Sequence, residues 1–249
     1  MILRYFYCLA LTLVFVSQAV AQVPTENQPP IEEPKYLEPI RSAFSGWHGQ
    51  DDYYRNIREK LFPGSFNYLI RVLEIPSFEL EWAVSVQERD FYEPGVKVKR
   101  FADGSVIATR AGEFVEPKKR YYAVYSSASE PIYNNKKISK VRVLTSERQI
   151  SSELASKLLE LWSSVLSKTS YSEYGGGADG TTYYFFCRSP ELGLMEGSTW
   201  SPKDGSKLPL QMVRLANQLR ELAQSKSTLS EDDLKSQVQS VIDNFGLAR

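Results

Sequence analysis

Histidine and cysteine are scarce in this chain. His48 is the only histidine, and Cys8 and Cys187 are the only cysteines among 249 residues. With no histidine pair and no cysteine cluster, the common zinc sites are excluded, and no metal or other cofactor is expected. Excess charge is also missing: Lys plus Arg number 30, and so do Asp plus Glu. That balance leaves no electrostatic footprint for nucleic acid. The same balance argues against strong binding to anionic lipid. Gly-x-Ser-x-Gly, His-Glu-x-x-His and the Gly-Lys-Ser/Thr of a phosphate loop are all absent, so no motif announces a hydrolase, a zinc protease or a nucleotide site. There is no Asn-x-Ser/Thr sequon and no internal repeat.

One long apolar run is present, at the amino terminus. A positively charged opening, Met1 to Arg4, precedes the apolar or weakly polar run Tyr5 to Val16, and Ala19-Val20-Ala21 follows as an Ala-x-Ala element. This is the pattern of a secretory signal cleaved after Ala21. A membrane anchor would need about 20 apolar residues, which this run does not supply, so no stable anchor is expected after cleavage. Cys8 lies inside the run and would leave with it. The mature chain then has Cys187 as its only thiol and cannot form an internal disulfide. These features point to a periplasmic or secreted bacterial protein.

Residues 22–35 hold Pro24, Pro29, Pro30 and Pro34 with Glu26, Glu32 and Glu33 among them, a composition of solvated extended chain. Residues 36–249 form one folding unit in this reading. With 42% apolar and 12% aromatic residues, the chain is globular rather than disordered.

Periodicity separates the elements. Asp52 to Phe62 is helical, and Phe66 to Leu73 fits helix and strand equally well. Leu80, Trp82, Val84 and Val86 alternate with Glu79, Glu81, Ala83 and Ser85 as in a half-buried strand. Val96 to Phe101 and Ser105 to Thr109 flank Asp103-Gly104, a hairpin signal. Tyr121 to Ser126 and Ile138 to Leu144 add strands. Ile150 to Leu166 carries a broad apolar arc and reads as a deeply packed helix. Thr181 to Arg188 and Leu192 to Trp200 read as a hairpin. Leu208 to Gln224 and Thr228 to Phe245 close the chain as helices, with Ser206 a plausible cap for the first and acids after Ser230 suiting the start of the second. The expected fold class is α+β, an antiparallel sheet packed by two or three helices.

Each candidate site has a plain structural alternative. Cys187 and His48 form the one conceivable nucleophilic dyad, but Cys187 shares a strand face with Tyr183 and Phe185 and also reads as an inert core thiol. Glu79 and Glu81, about 7 Å apart on one strand face, suit acid–base work, or simply a solvated face. Gly175 to Gly180 resembles a phosphate loop, yet a strand follows it instead of a helix, so a flexible approach to the hairpin fits better. Tyr183, Tyr184, Phe186 and Trp200 concentrate aromatic surface on one hairpin, a candidate binding face for a ligand or a protein partner. Ordinary sheet packing explains the same pattern.

Three segments carry a resemblance: Pro76-Ser77-Phe78-Glu79-Leu80-Glu81-Trp82-Ala83, Asp179-Gly180-Thr181-Thr182-Tyr183-Tyr184-Phe185, and Gly197-Ser198-Thr199-Trp200-Ser201-Pro202 before an apolar helix. Together they resemble a group of uncharacterised exported bacterial proteins. The resemblance implies export and a single domain, and it transfers no functional residue. The expected function is a non-catalytic binding or interaction role in the periplasm. The alternatives are an immunity-type inhibitor of an exported toxin and a hydrolase without a recognisable motif.

Overall fold

The computed structural model describes residues 35–40, 51–62, 67–101, 105–133, 135–170, 179–203, 207–225 and 228–247. The signal segment, the proline-rich leader through Pro34, His48, Asp103-Gly104, Gly175 to Gly177 and Ser206 lie outside them. Every described residue belongs to one unit, Glu33–Arg249.

The fold is α+β, built on a six-stranded sheet. In chain order the elements are α1 (Asp51–Leu61), β1 (Tyr68–Pro76), β2 (Trp82–Phe91), β3 (Lys97–Arg100), β4 (Val106–Arg110), β5 (Glu113–Phe114), β6 (Lys118–Ala128), β7 (Val143–Ile150), α2 (Ser152–Leu166), β8 (Thr181–Ser189), β9 (Gly193–Trp200), α3 (Lys207–Gln224) and α4 (Glu231–Asn244). The large sheet runs β7-β6-β2-β1-β8-β9, antiparallel throughout, and β3-β4-β5 form a separate small sheet. The small sheet is an arm inserted between β2 and β6, which pair with each other from Trp82↔Ser127 out to Phe91↔Lys118.

Alternation along the strands gives the large sheet two apolar faces. Ile70, Val72, Val84, Val86, Phe185 and Cys187 pack under the helices α2, α3 and α4. Helices α2 and α3 lie on the sheet, and α4 packs against both of them. Ser151 caps α2 by accepting from the Leu154 amide, and Ser230 with Asp233 closes a capping box on α4. The opposite face, with Leu73, Ala83, Tyr184 and Phe186, is covered by Ile57 and Leu61 of α1 and by Ile132 and Val141 of the β6–β7 connection.

The sequence reading needs correction at four places. Of the ambiguous Phe66 to Leu73, Tyr68 to Leu73 belong to β1, whose register shifts between Tyr68 and Ile70, and Phe66 lies outside the described residues. That bulge breaks strict alternation, which is why a helical period fitted equally well. Ile138 to Leu144 is not a strand: Ile138–Lys140 is a short 3-10 turn and β7 starts at Val143. The strand was missed because Thr145 to Gln149 is polar, as suits an edge position. Ile150 ends β7 and does not open α2. Glu79 and Glu81 precede β2 and are not part of it.

Candidate functional site

The three resembling segments lie far apart in sequence and meet at one end of the large sheet. The carboxyl end of β1, the amino end of β2, the amino end of β8 and the carboxyl end of β9 are adjacent there because all these pairings are antiparallel. Their ends are bonded together by two serines. The Ser77 amide (3.0 Å) and hydroxyl (2.6 Å) donate to the Gly180 carbonyl, and the Gly180 amide donates back to Ser77 Oγ at 3.0 Å. The Thr181 amide donates to Ser201 Oγ at 2.8 Å, and the Ser201 amide donates to the Thr181 carbonyl at 2.8 Å. Gly180 has no room for a side chain: a Cβ there would sit 2.5 Å from both Ser201 Oγ and the Trp200 ring. The glycine is therefore a close-contact position.

The β1–β2 turn carried on this base projects apolar surface. Phe78 is 85% exposed, and Leu80 is exposed beside it. Glu79 is also exposed on the turn.

Glu81 differs sharply from the solvated residue its spacing suggested. It is 2% exposed. Its carboxylate accepts from the Ile132 amide (3.1 and 3.0 Å to its two oxygens), from the Tyr133 amide (3.2 Å) and from the Tyr53 hydroxyl (3.0 Å). It thus ties α1 and the β6–β7 connection to the sheet. Burial, then the charge and hydrogen bond of Glu81, push the Tyr53 phenol well above its ordinary value. Tyr54 packs edge-on to Tyr184 with their hydroxyls 3.2 Å apart. Burial, and then Tyr54, raise the Tyr184 phenol as well. Both phenols move away from neutrality, the wrong direction for an acid–base catalyst.

On the helix-covered face a polar row crosses the same end. Trp82, Glu74, Tyr183 and Thr199 are successive cross-strand partners. Glu74 is 8% exposed, and burial raises its carboxyl. Trp82, Tyr183 and the charge of Arg220 pull it back down, while Glu79 adds to the rise. Trp82 Nε1 faces Glu74 without closing a well-formed bond, and Thr199 Oγ1 is also buried without a partner. The Arg220 guanidinium lies 4.7 Å from the Trp82 ring.

The four aromatics proposed from sequence do not form one exposed surface. Tyr184 and Phe186 are buried under α1, Tyr183 is partly buried on the opposite face, and Trp200 is partly buried against Gly180. Tyr184 and Phe186 are not presented to a partner because α1 covers the face that alternation left for one. Cys187 is fully buried, with its sulfur 3.2 Å from Ser163 Oγ. Its proposed partner His48 lies outside the described residues. Among the described residues, no group of three or more His, Cys, Asp or Glu side chains is placed to hold a metal, and no helix is long and apolar enough to cross a membrane.

Comparison of the chain with protein-family models, curated proteins and solved structures gives no match. The fold and site define an α+β protein with a serine-clasped sheet end that carries an exposed phenylalanine.

Proposed function

We propose that this chain is an exported bacterial protein that acts by binding a protein partner through the β1–β2 turn, without catalysing a reaction. The observation that carries this reading is Phe78, 85% exposed on a turn whose base is fixed by Ser77 and Gly180. Leaving a phenylalanine in water forgoes about 1.5–3 kcal/mol of burial. On a fixed base it offers that energy to a partner with little ordering cost. Glu81 fits the non-catalytic part of the reading, because its oxygens are occupied by internal donors. The apolar amino-terminal run with its Ala-x-Ala element supports export.

Glu74 favours a second reading. A buried carboxyl raised by burial, beside Tyr183 and Arg220, is the group among the described residues best suited to acid catalysis.

The test retains partners from periplasmic extract on the wild-type chain and on a Phe78→Ser, Leu80→Ser variant. Both positions are exposed, so the variant should keep its melting temperature. One protein held by the wild type and lost by the variant is the expected result. Retention that survives the substitutions overturns the binding surface. Hydrolytic turnover abolished by Glu74→Gln overturns the non-catalytic assignment.

A further inference from the structure

The balanced net charge conceals a local segregation on the β3–β5 arm. Residue pairing defines its two faces. Lys99 is opposite Ile107, Lys97 is opposite Thr109, and Thr109 is opposite Phe114, so these side chains share one face. Phe101 joins them by alternation, its amide still bonded to the Ser105 carbonyl at 2.9 Å and its ring 4.9 Å from Lys99 Nζ. The other face carries Val98, Arg100, Val106, Ala108, Arg110 and Glu113. Ala108 of this second face is buried and Arg100 lines a groove with Leu69, Lys119 and Arg188 of the large sheet, so the second face is turned toward the body along β4 and the first face outward, while Val98 of the edge strand stays exposed.

The outward face is apolar and cationic at once. Phe101, Ile107 and Phe114 are all exposed, Phe114 to 79% at the end of the tight turn through Ala111 and Gly112. All four residues of β3 are exposed. Elsewhere on the arm and its base, Lys118 and Arg110 are held by Glu93, and Lys119 by Glu88 and Asp90. Among the described residues Lys97, Lys99 and Arg100 have no such acidic partner, and no acid occupies a paired position on the outward face. Three-stranded sheets normally bury one apolar face. This one instead presents three large apolar side chains beside unpaired lysines.

We propose that the outward face of the arm docks on an anionic lipid surface, with Phe101, Ile107 and Phe114 at the acyl boundary and Lys97 and Lys99 on headgroup phosphates. The lysine stems lie along the apolar patch while their ammonium groups reach the charged layer. A projecting arm exposed on both sides of its edge strand can meet a planar surface without the body intervening. The proposal is independent of the Phe78 turn, which lies at the other end of β2.

The test is co-sedimentation of the full chain with phosphatidylcholine vesicles, with and without phosphatidylglycerol. Reading the difference between the two compositions removes the charge-independent contribution of the apolar amino-terminal run. Each lysine removed near an anionic surface weakens partitioning about fivefold, so Lys97→Gln with Lys99→Gln should lower the phosphatidylglycerol-dependent component about 25-fold. Phe114→Ser should lower binding about tenfold. All three side chains are exposed, so the variants should keep the wild-type circular dichroism. Lys136→Gln, in the β6–β7 connection, should leave binding unchanged. Equal binding to both compositions overturns the proposal, as does phosphatidylglycerol-dependent binding that persists in the lysine double variant. Binding to soluble polyglutamate that matches binding to vesicles would also overturn it, because the ligand would then be an acidic peptide.

Discussion

Replacing Glu81 with alanine tests whether a buried carboxylate holds the second face of the sheet closed. The substitution leaves three donors without their acceptor: the Ile132 amide, the Tyr133 amide and the Tyr53 hydroxyl. Ile132 is buried, so its amide cannot turn to water; an orphaned buried donor costs about 1–3 kcal/mol. The other two donors are nearer solvent and recover part of their loss, adding about 0.5–1 kcal/mol each. The sum is about 2–5 kcal/mol, which overlaps the range for breaking a buried charged network. With a urea dependence of about 2 kcal/mol per molar, the unfolding midpoint should fall by about 1–2.5 M. Glu81→Gln should lose less, about 1.5–2.5 kcal/mol, because its carbonyl still accepts while its amide nitrogen confronts another donor. A double-mutant cycle with Tyr53→Phe should return a coupling near 1 kcal/mol. The assay is equilibrium urea denaturation followed by circular dichroism. An alanine variant within about 0.5 kcal/mol of wild type, as for ordinary surface substitutions, would refute the reasoning.

Two further outcomes follow from the same end of the molecule. Because burial raises the Glu74 carboxyl, the folded state holds its proton more firmly than the unfolded chain. Its contribution to stability is present below the unfolded value and is lost as pH rises through the raised one. Glu74→Gln should flatten the fall in melting temperature as pH rises above the ordinary carboxylate range, and an unchanged slope would absolve Glu74. Gly180→Ala drives a methyl into Ser201 Oγ and the Trp200 ring, each 2.5 Å from the new Cβ. It should cost about 1–3 kcal/mol in thermal or urea unfolding, and an unaltered midpoint would contradict the close contact.

Much of the framework was legible because the signals were local. Ser230 caps α4 through a side chain three residues away, and the stripe from Leu154 to Val165 in α2 needs no distant partner to be recognised. The site was less legible because its residues take their character from remote ones. An acid alternating with apolar residues reads as solvated, yet Glu81 is buried by donors at positions 53, 132 and 133. Tyr184 and Phe186 looked available for the same reason: covering both faces of the sheet abolishes the meaning of period-two alternation, and nothing in residues 181–189 announces α1. The three resembling segments could be named from sequence, but their meeting at Ser77, Gly180 and Ser201 depends on β1 lying between β2 and β8.

That strand order has a kinetic consequence. Strand β1 obtains its first neighbour at once, through the turn to β2, but its second is formed only by residues 181–189. Until then the outer edge of Tyr68–Pro76 is an unpaired row of backbone donors and acceptors, flanked by Ile70, Val72 and Leu73. Such an edge recruits other strands, including those of neighbouring copies. Closing a loop of this span also slows productive pairing. The β1–β8 pairing is thus the most hazardous moment of the sheet's assembly, and a chain emerging slowly would profit from a chaperone that shields this edge until β8 arrives.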